Sequence, residues 1–174
     1  MSSKSSSSRS TPTKRLLTEL GALQSSPHPL IQLAPSSPSN LLALSAILLP
    51  SPSLPSTSGY ANGRWLLSIR IPANYPLVAP NIKFVTRICH PNVSWDTGEI
   101  CMDLLGKEWT PVLGVVGALE AVGRLLGEGG VDSPLNVEVA ALARQGDVVG
   151  TRSLVGWWTG EERFEGTLDD VVER

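Results

Sequence analysis

Cys89-His90-Pro91-Asn92-Val93-Ser94-Trp95-Asp96-Thr97-Gly98-Glu99-Ile100-Cys101 holds both cysteines of the chain and one of its two histidines, with turn-forming residues between them. It is the one stretch where nucleophilic chemistry is expected. A thiol becomes a dedicated nucleophile where surrounding groups shape its access and its thiolate fraction. Asn92 carries an amide able to donate to a developing oxyanion, and Gly98 allows close backbone approach or a positive φ. His90 invites a general-base reading, since a cysteine and a histidine can form a thiol-imidazole pair. Placed before a proline, it reads better as a turn histidine.

Upstream of this loop, Asn62-Gly63 is a strong turn signal, and Arg64 to Ile71 follows it. There Trp65, Leu67, Ile69 and Ile71 alternate with Arg64, Leu66, Ser68 and Arg70, which predicts a half-buried strand. Ile82 to Thr86 predicts another, giving an antiparallel meander. Leu41 to Leu49 fits a buried strand or a short helix, set between Pro/Ser-rich passages that end at Asn40 and run from Pro50 to Ser58. Before these, the pattern is helical from Thr11. Pro12 suits a first turn, and Leu16, Leu17, Leu20 and Leu23 recur at three-to-four spacing, with Lys14, Arg15 and Glu19 on other faces.

Downstream, Leu113 to Leu126 predicts a helix, weakened by Gly114, Gly117 and Gly123, each unfavourable by about 1 kcal/mol relative to Ala in an interior. Asn136 is the expected N-cap of Val137 to Arg144, and a last helix is expected over Val149 to Trp158. No repeat is visible. The order of helix, strands, cysteine loop and helices predicts an α+β fold with the helices segregated from the sheet.

At 174 residues the chain suits one domain with a proper core. A net charge of -2 and a pI near 5.7 show no basic footprint, so no nucleic-acid partner is expected. Two cysteines, two histidines and no Cys-x-x-Cys give no ordinary four-ligand zinc site, and no metal is assigned. The cysteines are too sparse for a secreted disulfide scaffold, which favours a reducing compartment. Residues 1–10 contain seven serines with Lys4 and Arg9 and are expected to be a disordered lead-in. A mitochondrial transit peptide shares that composition and stays open. Residues 11–160 would form the domain, and the acidic stretch 161–174 a flexible tail. The apolar run Leu41 to Leu49 is too short to span a bilayer, so a soluble chain is expected.

Several further marks, in order, resemble the ubiquitin-conjugating enzymes over Lys14 to Trp158. Lys14 to Leu20 is similar to that family's first helix, and Tyr75-Pro76-Leu77-Val78-Ala79-Pro80 to its Tyr-Pro-x-x-x-Pro turn. His90-Pro91-Asn92 matches the signature tripeptide and Gly98-Glu99-Ile100-Cys101 the acceptor cysteine. Trp109-Thr110-Pro111 matches the following Trp-x-Pro, and Asp132-Ser133-Pro134-Leu135 the loop beside the active site. Most members place the cysteine eight residues after the asparagine, whereas Cys101 follows Asn92 by nine. That longer loop, with Glu108 to Val112 and Gly146-Asp147, resembles the peroxisomal branch, the peroxin-4 enzymes.

The resemblance implies a four-stranded antiparallel sheet flanked by about four helices, with no cofactor. It implies that Cys101 takes ubiquitin from a ubiquitin-activating enzyme as a thioester and passes it to an amine or to a cysteine of an import receptor. Asn92 is implied as the oxyanion donor or as a loop-structuring residue, and His90 and Pro91 as structural. Members often carry an acid where Ser133 stands, so Asp132, Ser133 and Asp103 are the candidates for assisting deprotonation. RING-type ligases are implied at Lys14, Arg15, Leu77, Pro111 and Val112, although many relatives carry phenylalanine where Leu77 stands. A membrane-anchored peroxin would recruit a cytoplasmic chain to the cytosolic face of the peroxisomal membrane. Cys89 reads as a small buried hydrophobe. An inactive ubiquitin-binding scaffold would usually lack the cysteine. A hydrolase pairing Cys101 with His90 would need a freer histidine than a His-Pro turn supplies.

Overall fold

The computed structural model describes residues 11–101, 106, 109–128, 130 and 134–172. Asp103, Asp132 and Ser133 lie outside these, as do residues 1–10. Helix α1 spans Pro12–Ser25, with the Thr11 side chain accepting from Lys14 N–H and Pro12 in the first turn, where its missing N–H costs nothing. Strands β1 (Ile31–Ser37), β2 (Asn40–Leu48), β3 (Trp65–Arg70) and β4 (Asn81–Phe84) follow. Helices α2 (Gly114–Glu128), α3 (Val137–Arg144) and α4 (Val148–Glu161) come next, and short 3-10 helices lie at Ser56–Ser58 and Leu168–Asp170. Asn136 caps α3 through Val139 N–H, as its position predicted, and Asp147 caps α4 through Gly150 N–H.

The four strands form one antiparallel meander in the order β1-β2-β3-β4. Leu41 to Leu49, open between strand and helix on sequence, is strand, and it pairs Leu44 with Ile69 and Leu48 with Trp65. The passage before Asn40, read as loop, contains β1. Its register with β2 shifts between Pro35 and Ser37. Pro35 hides the strand in sequence because proline interrupts a ladder, yet an edge strand tolerates it.

On the inner face, Leu44, Ala46, Leu67 and Ile69 are buried against Leu16 of α1 and Val115, Leu119 and Val122 of α2. Trp65 lies between Tyr60 and Phe84 in two edge-to-face contacts, each worth about 0.5–1.5 kcal/mol beyond burial. β3 is more covered than the alternation implied, because Leu66 and its β2 partner Ile47 on the other face are also buried. The stretch beyond Glu161, read as a flexible tail, lies against the sheet: Leu168–Asp170 contacts β1 and β2. Arg64 donates to the carbonyls of Phe164 and Gly166, both at 2.7 Å, and stacks over the Phe164 ring.

Candidate active site

Residues Cys89 to Cys101 fold into a turn followed by a small hairpin. His90 is 1% exposed. Its Nδ1 accepts from Asn92 N–H at 3.0 Å, so the proton sits on Nε2, which donates to the Leu125 carbonyl at 3.1 Å. Burial lowers its pKa to about 4, only partly offset by the Leu125 bond. Both ring nitrogens are thus engaged in tying the tripeptide to itself and to α2. Pro91 serves the same end through its carbonyl, which accepts from Leu135 N–H and Asn136 N–H and fastens the chain after Pro134 beside the tripeptide.

Beyond Asn92 the chain doubles back. Cys101 N–H donates to Asn92 O, Val93 bridges Ile100, and Ser94 and Glu99 close the tip, where Gly98 N–H returns to Ser94 O. The nine-residue spacing from Asn92 to Cys101 is taken up by the two hairpin arms and this Ser94–Gly98 turn. Gly98 has φ +68°, and a Cβ there would lie 1.8 Å from Phe84 O, because Gly98 O accepts from Phe84 N–H and seats the hairpin on β4.

The two thiols differ. Cys101 is partly exposed at the hairpin base and Cys89 is buried. Burial pushes the Cys89 thiol up to about 11, while its carbonyl accepts from the buried Tyr60 hydroxyl at 2.8 Å. The Asn92 side chain is buried at the same turn, and its Oδ1 has no hydrogen-bond partner among the described residues.

A second cluster joins α1, the Tyr75-Pro76 turn and the start of α2. Glu19 accepts from Arg15 Nε at 2.7 Å, Tyr75 OH at 2.6 Å and Val115 N–H at 2.8 Å. Arg15 also donates to Pro111 O, and Trp109 Nε1 donates to Pro76 O at 3.0 Å. Arg15, Pro111 and Val112, distant in sequence, are therefore brought together, with Lys14 preceding Arg15 on α1 and Leu77 following the Tyr75-Pro76 turn. Leu77 and Val112 are 71% and 90% exposed. On sequence Glu19 falls only off the leucine face of α1, and its place as the hub is not read there. The Arg15–Glu19 spacing of four was the available signal.

Among the described residues no group of three His, Cys, Asp or Glu side chains could hold a metal ion, and no helix is long and apolar enough to cross a membrane.

A family model described as Ubiquitin-conjugating enzyme matches residues 15–150. Ubiquitin-conjugating enzyme E2 PEX4 of Gibberella zeae is 54% identical over 110 residues, covering 62% of this chain and 64% of that protein. The chain thus spans slightly less than two thirds of that relative's length. Ubiquitin-conjugating enzyme E2 pex4 of Dictyostelium discoideum is 41% identical over 145 residues, covering 83% of this chain and 95% of that one. Among solved structures, the H. polymorpha ubiquitin conjugating enzyme Pex4p, crystallised with the soluble domain of Pex22p, superposes with a TM-score of 0.77 at 29% identity. That superposition covers 87% of this chain and 98% of the other. A four-stranded meander with its helices, a His-Pro-Asn turn locked to α2 and a match over most of the length lead to one conclusion: the chain belongs to the ubiquitin-conjugating enzyme family.

Proposed function

We propose that the chain accepts ubiquitin as a thioester on Cys101 and transfers it to a substrate, with the peroxisomal import receptor as the acceptor. The observation that carries this reading is the pairing of a partly exposed Cys101 with Asn92 across the hairpin base. The Cys101 thiolate attacks the carbonyl of the thioester held by the activating enzyme. The tetrahedral oxyanion collapses, the departing thiolate takes up a proton, and ubiquitin remains on Cys101. Attack by an amine or thiol repeats the sequence and releases Cys101. The Asn92 side-chain N–H is the donor this reading assigns to the oxyanion.

His90 is not the base of this scheme, because both its nitrogens are committed. Proton removal from the acceptor falls to the carboxylate of Asp103 or Asp132, since Ser133 has none unless phosphorylation adds charge there. The group of Lys14, Arg15, Leu77, Pro111 and Val112 is the proposed seat of a RING-type ligase, with exposed Leu77 and Val112 as its apolar points. The complex of the H. polymorpha enzyme with Pex22p supports a peroxin partner here, and with it recruitment from the cytoplasm to the cytosolic face of the peroxisomal membrane.

Incubation with activating enzyme, ubiquitin and ATP, read on a non-reducing gel, tests the core of the reading. A thiol-sensitive adduct that disappears in Cys101→Ala is expected. Persistence of the adduct in that variant overturns the nucleophile, and no adduct from wild type favours an inactive scaffold. For the branch, an immobilised soluble peroxin domain should retain the chain, and failure to do so points to a general cytosolic conjugating enzyme.

A further inference from the structure

The Cys101 hairpin is held from two sides by different means. On one side Gly98 O accepts from Phe84 N–H at 2.9 Å and Glu99 bridges Lys83, so the backbone extends β4. On the other side lies a cleft of about 480 Å³, with Ser94, Trp95 and Asp96 on the hairpin wall and Asn136, Glu138 and Trp158 opposite. Trp95 and Trp158 line this cleft and pack, partly buried, against the edge of the core. The Trp95 ring spans it. Trp95 meets Trp158 of α4 edge-on, with centroids 4.6 Å apart at 68°. The Arg87 guanidinium stands 5.7 Å from the Trp95 centroid, and Trp157 backs Trp158 at 4.6 Å.

We propose that Trp95 and Trp158 form a brace that positions the Cys101 hairpin for ubiquitin transfer. Both are positioning residues, since Cys101 does not line the cleft they bridge. The inference rests on the reading that Cys101 carries the thioester. Paired backbone bonds from Asn92–Cys101 to Ser94–Glu99 make the hairpin a stiff lever, so a tilt at Trp95 is delivered at the thiol. A misplacement of about 1 Å can cost on the order of 10²-fold in rate. The extra residue between Asn92 and Cys101 thereby gains a role: it lengthens the turn that carries the tryptophan across.

The test is single-turnover discharge of preformed thioester to free lysine, in wild type, Trp95→Leu, Trp158→Leu, Trp158→Phe and the double leucine variant. Each single leucine variant should lower the maximal discharge rate about 10-fold, the scale of one aromatic pair, with half-saturating lysine unchanged. Trp158→Phe, which keeps an edge-on ring, should recover most of the rate, and the double variant should be no slower than either single. A rate within about twofold of wild type in both singles, or losses that multiply in the double, overturns the brace. Amide exchange supplies an arm independent of activity: Ser94 and Cys101 N–H should exchange about 10-fold faster in Trp158→Leu, with Leu67 and Ile69 unchanged. Unchanged exchange overturns the brace even if no thioester forms, whereas a wild type that cannot be charged overturns the functional reading alone.

Discussion

Acid should weaken this fold through one imidazole, and the effect can be isolated. His90 sits near pH 4 in the folded chain against 6.5 when free, because burial penalises its charged form. Between those values the unfolded chain takes up a proton that the folded chain refuses, so stability falls as pH falls. The contribution is fully present above about 6.5 and is lost by about 4, and the gap corresponds to roughly 3 kcal/mol. For a domain stable by about 5–15 kcal/mol, that is a large share. Urea unfolding at a series of pH values measures it, with His90→Gln as the comparison. Glutamine can still donate to Leu125 O but gives up the acceptor for Asn92 N–H, which costs about 1–3 kcal/mol near neutrality. It has no proton to gain, so the wild type's advantage over the variant should fall by about 3 kcal/mol from pH ~6.5 to ~4, vanishing or changing sign. Carboxylates common to both chains cancel in that difference. A gap that stays constant refutes the argument. Charging by the activating enzyme near neutral pH gives a second reading, since loss of a general base costs about 10²–10⁴-fold and loss of a turn contact should stay within about 10-fold.

Glu19→Gln, which leaves Arg15 and Tyr75 without a carboxylate partner, should lower stability by about 2–4 kcal/mol in denaturant unfolding; a change below about 0.5 kcal/mol would contradict its role as hub. Gly98→Ala should cost more than about 2 kcal/mol, given its positive φ and the 1.8 Å approach to Phe84 O, whereas Gly21→Ala, in helix α1 with nothing within 4 Å, should stabilise by up to about 1 kcal/mol. Arg64→Ala removes both bonds to the Phe164–Gly166 backbone, and limited proteolysis should then cut within residues 162–172 well before the core; equal cutting of wild type would remove that residue from the anchor. Under native conditions iodoacetamide should add one group, at Cys101, and Cys89→Ala should leave both labelling and charging unchanged; two groups added at equal rates would contradict the burial of Cys89.

Contiguity decided what could be read from the chain. His90, Pro91, Asn92 and Cys101 were legible because the turn and hairpin that join them lie within one short stretch. The α1 face, the Asn136 cap and the alternation of β3 were legible because caps and periodicity are local signals. Glu19 was not, since its partners Tyr75 and Val115 lie 56 and 96 residues away, and its spacing to Arg15 looks like an ordinary surface pair. β1 was hidden by Pro35 and the serines beside it, whose edge position only the sheet order reveals. The docking of Leu168–Asp170 on β1 and β2 was hidden likewise, because it returns from the far end of the chain to the sheet.

The two cysteines carry the same side chain and stand twelve residues apart, yet the fold assigns them opposite fates. Cys89 precedes the turn, and with Tyr60 bonded to its carbonyl and the aromatic cluster around Trp65 nearby it is drawn into the core. There burial holds the thiol neutral. Cys101 follows the turn, and its own backbone bond to Asn92 leaves it at the hairpin base, partly in solvent. What separates them is the direction reversal made by His90-Pro91-Asn92 and the length of the hairpin after it. That explains why a histidine beside a cysteine is spent on carbonyl and amide partners rather than on the thiol. On the proposed reading an incoming thioester brings its own activation, so the greater need at this site is a fixed position for sulfur, and a neutral, fully bonded imidazole under the turn supplies it.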